Sequence, residues 1–333
     1  MMQRTARAAD GGLRLSPVAR ETGIFRLPGW VVWCGSMIPG GDGKYYLLFS
    51  LWEEKYGFEG WMQHSKIGCA VAADPMGPYR FQGIVLEGSG IPGAWDRDVV
   101  HNPWIIVHDG RFYLFYTGNY GNGDYRDHGR LQRIGLAVAP HPAGPWKRGP
   151  EPLLPGRPGM FDATMTTNPS VCRLPDGSYV MIYKCYSLEP PFNGKVVHGI
   201  AYAERPEGVW RRRAEPVFQH PESPFAAEDP CLFFQGGKLR CILKDMDRFF
   251  SPESARSLVM LESSDRGESW RKSSPFLIST REVAFEGGGI REMARLERPF
   301  VYMENGDPAI LFNAAKPDAG ADGAFNIHRR WID

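Results

Sequence analysis

Short runs that crowd apolar and aromatic residues recur along the chain, each opened by a glycine turn. They are DGKYYLLFS (42–50), DGRFYLFYT (109–117), DGSYVMIYK (176–184), GGKLRCILK (236–244) and GDPAILFNA (306–314). Their starts lie 67, 67, 60 and 70 residues apart, and one fifth of the 333 residues is about 67. Alternation bounded by turn residues predicts strands. A near-constant spacing of this length predicts a repeat architecture.

Two further segments keep the same beat. IGCAVAADPMGPYRFQG (67–83), IGLAVAPHPAGPWKRGP (134–150), HGIAYAERPEGVWRRRAEP (198–216) and LVMLESSDRGESWRKSSP (258–275) each read strand, turn, aromatic, strand. The last holds Ser263, Asp265, Gly267 and Trp270 in the S-x-D-x-G-x-x-W pattern of the propeller Asp-box, a folding motif. Ahead of each glycine turn stands His101-Asn102-Pro103, Thr167-Asn168-Pro169, Glu228-Asp229-Pro230 or Glu297-Arg298-Pro299, with Cys34-Gly35-Ser36 at the first offset. Proline is tolerated where a strand begins, since no ladder N–H is needed there. Long 3.6-period segments are nearly absent, which excludes a Rossmann or α/β-barrel fold.

Each unit supplies about four antiparallel strands, so the expectation is an all-β, five-bladed β-propeller. Residues 1–24 read as an N-terminal tail and 25–333 as one propeller domain. The fifth unit lacks an outer hairpin; Phe325–His328 and the stretch around Phe25-Arg26-Leu27 are expected to complete it and close the ring.

Composition narrows the partners. Lys+Arg (39) against Asp+Glu (38) gives a net charge of +1, which excludes a basic nucleic-acid-binding protein. No apolar run reaches the ~18 residues of a membrane helix. The first residues have no apolar signal core, so a cytoplasmic location is expected, an exported form with its signal removed being the alternative. Six scattered cysteines without CxxC spacing read as buried free thiols. The eight histidines show no HxH or HExxH spacing, so no metal cluster is expected.

In a propeller the strand entrances surround one funnel. They contribute Ser36, His101, Asn102, Thr167, Asn168, Glu228, Asp229, Glu297 and Arg298, with Asp96, Asp98 and Asp162 just upstream. Five repeats with acidic entrances, Glu228-Asp229-Pro230 in the fourth and Lys244-Asp245-Met246 after its second strand, resemble the five-bladed glycosidases of glycoside hydrolase families 43 and 117. The resemblance spans residues 25–330. It implies an exo-acting, inverting glycoside hydrolase acting on an oligo- or polysaccharide, without a required cofactor, as a monomer or small homo-oligomer. A single cation in the central channel is compatible with the oxygens the inner strands leave there.

The resemblance implies a base, an acid and a third carboxylate. Inverting pairs stand roughly 6.5–9.5 Å apart, the acid with a raised pKa. Glu228 is expected as the acid, with Asp162 as the third carboxylate. The family's base position falls on Cys34-Gly35-Ser36, so either the base has moved to Asp98, the choice here, or the mechanism differs. His101 is the alternative acid. The competing structural readings make Asp96 and Asp162 loop caps, put Asn102, Asn168 and Asp229 to holding backbone, and pair Glu228 with Arg298.

Lys184, Lys244 and Arg298 suggest an anionic sugar, since Arg offers carboxylates a bidentate fork. Trp33, Trp52, Trp61, Tyr120 and Tyr125 offer stacking faces. The long polar loop 118–133 and its counterparts at 51–66 and 185–198 are expected to wall the funnel. Two alternatives remain: a glycoside phosphorylase of the related five-bladed type, and a non-catalytic carbohydrate-binding propeller. A sialidase is disfavoured, with one Arg at a strand entrance where three are needed.

Overall fold

The computed structural model describes residues 14–250, 255–317 and 323–332. Strands dominate, in five antiparallel sheets of four or more strands and one smaller sheet. Sheet I runs Trp30–Pro39, Tyr45–Glu53, Lys66–Ala72, Arg80–Leu86. Sheet II runs Val99–His108, Arg111–Asn119, Arg133–Ala139, Lys147–Arg148. Sheet III runs Met165–Arg173, Tyr179–Tyr186, Val197–Ala203, Arg211–Arg212, and sheet IV Ala227–Gln235, Lys238–Asp245, Leu258–Ser263, Arg271–Ser279. Sheet V runs Arg295–Glu304, Asp307–Lys316, Phe325–Ile332. The first strands touch in turn, I to II to III to IV to V, and the first strand of V touches that of I.

Sheet V is finished by the N-terminal segment. Arg14–Leu15 and Ile24–Phe25 both pair antiparallel with Phe325–Ile332. Val18–Ala19 pairs in parallel with Glu282–Phe285, whose other neighbour is Ile290–Glu292. The expected tail is therefore corrected from residue 14 onward: this stretch is built into sheets, and residues 1–13 lie outside the described residues.

The repeats explain their own packing. Gly68, Gly135 and Gly199 hold the same place in the third strands, and a Cβ there would meet Phe49, Trp95 or Tyr183 at 2.9, 2.3 and 2.2 Å. The missing side chain leaves room for the aromatic at the eighth position of the first three nine-residue repeats, Phe49, Tyr116 and Tyr183, against the neighbouring strand. In sheets II and III that aromatic is a tyrosine whose hydroxyl reaches a buried aspartate: Tyr116 donates to Asp96 at 2.9 Å and Tyr183 to Asp162 at 2.7 Å.

The Asp-box closes its own turn. Ser263 Oγ accepts from Gly267 N at 2.7 Å, Asp265 accepts from Ser269 N at 2.9 Å, and Trp270 packs edge-on to Phe218 at 5.1 Å. All six cysteines are buried and unpaired.

Candidate active site

Every first strand carries a β-bulge at the same place. The register slips between Trp33/Ser36, His101/Trp104, Thr167/Ser170, Glu228/Cys231 and Glu297/Phe300. Within each slip one residue adopts a left-handed backbone: Cys34 (φ 53°), Asn102 (52°), Asn168 (53°), Asp229 (56°) and Arg298 (55°). Asn and Asp accept this conformation readily, whereas for Cys and Arg it is uncommon and strained. A bulge re-aims the side chains beside it, and here five bulges bring side chains of five sheets together.

These five residues form a chain of hydrogen bonds. Cys34 Sγ donates to Asn102 Oδ1 at 3.0 Å, Asn102 Nδ2 donates to Asn168 Oδ1, and Asn168 Nδ2 donates to Asp229 Oδ1 at 3.2 Å. Asp229 also accepts from Arg298 Nη1 at 3.0 Å and Arg298 N at 3.1 Å. Burial, first of all, pushes the Cys34 thiol up to about 12, so it stays protonated and donates. Neighbouring sheets are stapled further out: Ser50 Oγ accepts from Asn102 N at 2.9 Å and Thr117 Oγ1 from Asn168 N at 3.3 Å.

A cavity of about 110 Å³ opens beside this assembly. Asn102, Asn168, Asp229 and Arg298 line it together with His101, Lys184, Glu228 and Glu297. Trp33, Trp52, Phe58 and Trp61 supply aromatic walls, and Ser50, Gln132 and Arg295 complete the lining. The rim is made of loop 54–64, where Trp61 Nε1 donates to Glu59, and of the short helix Tyr125–Arg130, whose Tyr125 hydroxyl donates to Glu59 at 3.2 Å.

Glu228 is gripped by two lysines. Its carboxylate lies 2.8 Å from Lys184 Nζ and 2.6 Å from Lys244 Nζ, and Lys244 reaches Glu297 as well, at 2.7 Å. Burial pushes the Glu228 carboxyl up, but the two ammonium groups outweigh it and hold the group well below its ordinary value. Glu228 is thus ionised. Burial likewise drives Lys244 down, and its two carboxylate partners more than reverse this.

His101 is 1% exposed, and neither ring nitrogen has a hydrogen-bond partner. Burial holds it at about 3, the nearby Asn102 side chain opposing without reaching hydrogen-bond geometry and Arg298 and Lys184 pushing further down, so the imidazole is neutral. A neutral histidine does not supply the proton expected of the alternative acid at neutral pH.

Of the thirteen site residues expected from the sequence, the cavity brings together Glu228, Trp52, His101, Asn102, Asn168, Lys184, Asp229, Glu297 and Arg298. The other four lie elsewhere. Asp98 lies in a different depression, with Trp30, Glu53 and Lys66, paired to Arg97 at 2.6 Å and accepting from Gly121 N at 3.0 Å. Hydrogen bonding to Arg97 lowers its pKa.

Asp162 is 0% exposed and saturated by Arg157 at 2.8 Å, Arg212 at 3.1 Å and Tyr183. Asp96 repeats this pattern with Tyr116 and with Arg148 at 2.8 Å, so both aspartates anchor loops between sheets. Ser36 is buried and accepts from Ile105 N at 3.0 Å, stapling sheet I to sheet II. Lys244 lies behind the cavity wall at 2% exposure, wholly engaged by Glu228 and Glu297. In place of the Glu228–Arg298 pair of the competing structural reading stand Glu228–Lys184/Lys244 and Arg298–Asp229.

Ser50, Phe58, Gln132 and Arg295 were missed. Ser50, Thr117, Lys184 and Lys244 are each the last residue of a nine-residue repeat, and each sits opposite the residue ahead of the bulge. That alignment was available from the sequence. Arg295 is two positions before Glu297 on one strand and so shares its face, whereas Phe58 and Gln132 stand outside the strands, where no periodicity marks them.

No family model matches the chain, and no curated protein matches it in sequence. Solved structures do match in fold. Zg3597, a family 117 glycoside hydrolase from Zobellia galactanivorans, superposes with a TM-score of 0.65 at 18% identity, covering 96% of this chain and 90% of that one. A thermostable family-43 glycoside hydrolase gives 0.63 at 15%, covering 95% and 92%. The endo-arabinase of Bacteroides thetaiotaomicron VPI-5482 gives 0.63 at 13%, covering 93% and 97%. The chain thus has the propeller-like fold of the family 43 and 117 glycoside hydrolase structures, the fold that its sequence resemblance implied.

Proposed function

We propose that the chain is a glycoside hydrolase, with its five sheets forming the blades of a closed propeller and its cavity receiving a terminal sugar. The observation that carries this reading is the convergence of Glu228, Asp229 and Glu297 with aromatic walls in one cavity beside the five bulges. Apolar sugar faces stack on indole rings, while hydroxyls, each both donor and acceptor, suit a lining that alternates lysine, asparagine and carboxylate. The hydrogen-bonded residues at the bulges close one side of the cavity, which supports exo rather than endo action. Arg298 supplies there the positive charge that a channel cation would otherwise bring, and the reaction uses no cofactor.

Glu228 is the reacting carboxylate in this proposal. Its side chain is 16% exposed, against 10% for Glu297 and 3% for Asp229. Held ionised by two lysines, it suits stabilisation of an oxocarbenium-like transition state or activation of water, and not the acid role first expected. Glu228 and Glu297 share the Lys244 ammonium, so their bonded oxygens stand closer together than the ~6.5–9.5 Å of an inverting pair. With Asp98 outside the cavity, an inverting course would need a base other than Asp98.

That same observation favours a second reading: a propeller that binds sugar without turnover, every cavity carboxylate being matched by a cation. Release of monosaccharide from neutral and acidic oligosaccharides, by wild type and Glu228→Gln, with and without phosphate, separates the readings. Release lost in the variant and indifferent to phosphate is the expected result. Phosphate-dependent release would assign a phosphorylase. Sugar binding without release would leave the binding reading.

A further inference from the structure

The cations around the cavity are not equally committed. Lys184 is bound to Glu228, Lys244 to Glu228 and Glu297, and Arg298 to Asp229, all at 3.0 Å or less. Arg295 differs. Among the described residues its guanidinium makes no hydrogen bond; its nearest carboxylates, Glu297 and Glu59, stand at 3.5 and 3.6 Å, beyond good charge-assisted geometry. It lines the cavity with 38% of its side chain exposed, and its Cζ lies 4.9 Å over the Phe58 ring, which steadies the guanidinium plane.

Charge points the same way. Lys184, Arg298 and the Lys244 ammonium behind the wall already neutralise Glu228, Asp229 and Glu297, which leaves the charge of Arg295 unmatched on the inner wall. The carboxylate that offsets it, Glu59, lies on the rim at 62% exposure and accepts instead from Trp61 and Tyr125. A screened, exposed partner is weakly held and readily replaced.

We infer that Arg295 is a specificity-determining residue that selects an acidic terminal sugar, its guanidinium fork taking the sugar's carboxylate in place of Glu59. The inference rests on the glycoside reading of this cavity and names its substrate class. A planar carboxylate matches the fork in two parallel hydrogen bonds, which a lysine at the same position cannot reproduce. Lys184, Lys244 and Arg298, first expected to hold the anionic group, instead keep the carboxylates of the inner wall neutralised.

The test is isothermal titration of the full chain with glucuronate, galacturonate, galactose 6-sulfate, glucose and galactose, for wild type, Arg295→Lys and Arg295→Met. Wild type is expected to bind one uronate roughly 10–100-fold tighter than its neutral parent, the range of a charge-assisted pair. Arg295→Met should erase that preference, bringing uronate and neutral parent to within about twofold of each other, and Arg295→Lys should restore only part of it. Sulfate preferred over uronate would overturn the carboxylate assignment. Equal binding of acid and neutral sugars by wild type, or a preference that survives Arg295→Met, would overturn the role of Arg295 while leaving the glycoside reading intact. Binding of none of the five would sink both.

Discussion

Three buried histidines make stability depend on pH in a calculable way. His101, His198 and His328 are each 1% exposed, and burial, the largest influence on each, holds all three at about 3 against 6.5 in an unfolded chain. Below pH 6.5 the unfolded chain takes up three protons that the native fold refuses, so acidification favours unfolding. From pH 7.5 to 5.0 the loss is about 2 kcal/mol per histidine, about 6 kcal/mol in all. That is a large part of a typical 5–15 kcal/mol stability.

Glu228 acts in the same direction only at lower pH. Its depressed pKa contributes stability above its ordinary 4.5 and loses it as pH falls through the folded value. Keeping to pH 5.0 and above therefore isolates the histidines. Calorimetric unfolding at pH 7.5, 6.5, 5.5 and 5.0, in buffers of different ionisation heat, would give both the Tm and the proton uptake. A Tm fall on the order of 10 °C is expected, with uptake approaching three protons from these histidines at pH 5.0 and a further share from His64 and His128, which burial also lowers. His328 packs against Phe312 at 4.3 Å and Tyr79 at 5.4 Å, so His328→Phe keeps an aromatic there and should remove about one proton of uptake from the pH slope. A Tm flat between pH 7.5 and 5.0, or an unchanged slope in the variant, would refute the reasoning.

Three substitutions test the site's architecture. Asp229→Ala strips the acceptor from Asn168 and leaves the Arg298 guanidinium buried and unpaired; urea unfolding should show a loss of roughly 3–5 kcal/mol, part of it recovered by adding Arg298→Met. Asp162→Ala abandons Arg157 and Arg212 in the same way; a comparable loss is expected, with sugar binding per folded molecule unchanged, and weakened binding would return Asp162 to the site. Asp98→Ala removes a partly exposed pair and should shift stability by about 1 kcal/mol or less, leaving any monosaccharide release at the wild-type rate. A hundredfold loss of release would restore Asp98 as the base.

The repeat made the sheets legible, because alternating strands at a constant spacing leave few other folds. It also made Glu228, His101 and Glu297 legible, since each stands eight or nine residues ahead of a glycine-turn repeat. Asp162 and Asp98 misled for a physical reason. A carboxylate near a strand entrance reads identically whether it faces a cavity or an arginine: Asp98 turns to the adjacent Arg97, while Asp162 is held both by Arg157, five residues away, and by Arg212, 50 residues on. Sequence pairs Glu228 with Arg298 as readily as with Lys244; only cross-strand register, which sets Glu228 opposite Lys244, separates them. Arg295 went unread because its significance lies in the hydrogen bonds it does not make.

Sheet V imposes an order on synthesis. Its strands Arg14–Leu15 and Ile24–Phe25 are completed only by Phe325–Ile332, at the far end of the chain. At 5–20 residues per second, roughly 15–60 s separate the emergence of the two from a ribosome. Sheets I to IV, built from neighbouring hairpins, can pair as they emerge, while the N-terminal strands wait with Ile24 and Phe25 unpaired. Strands Arg14–Leu15 and Ile24–Phe25 thus precede sheets I to IV in synthesis yet are paired after them.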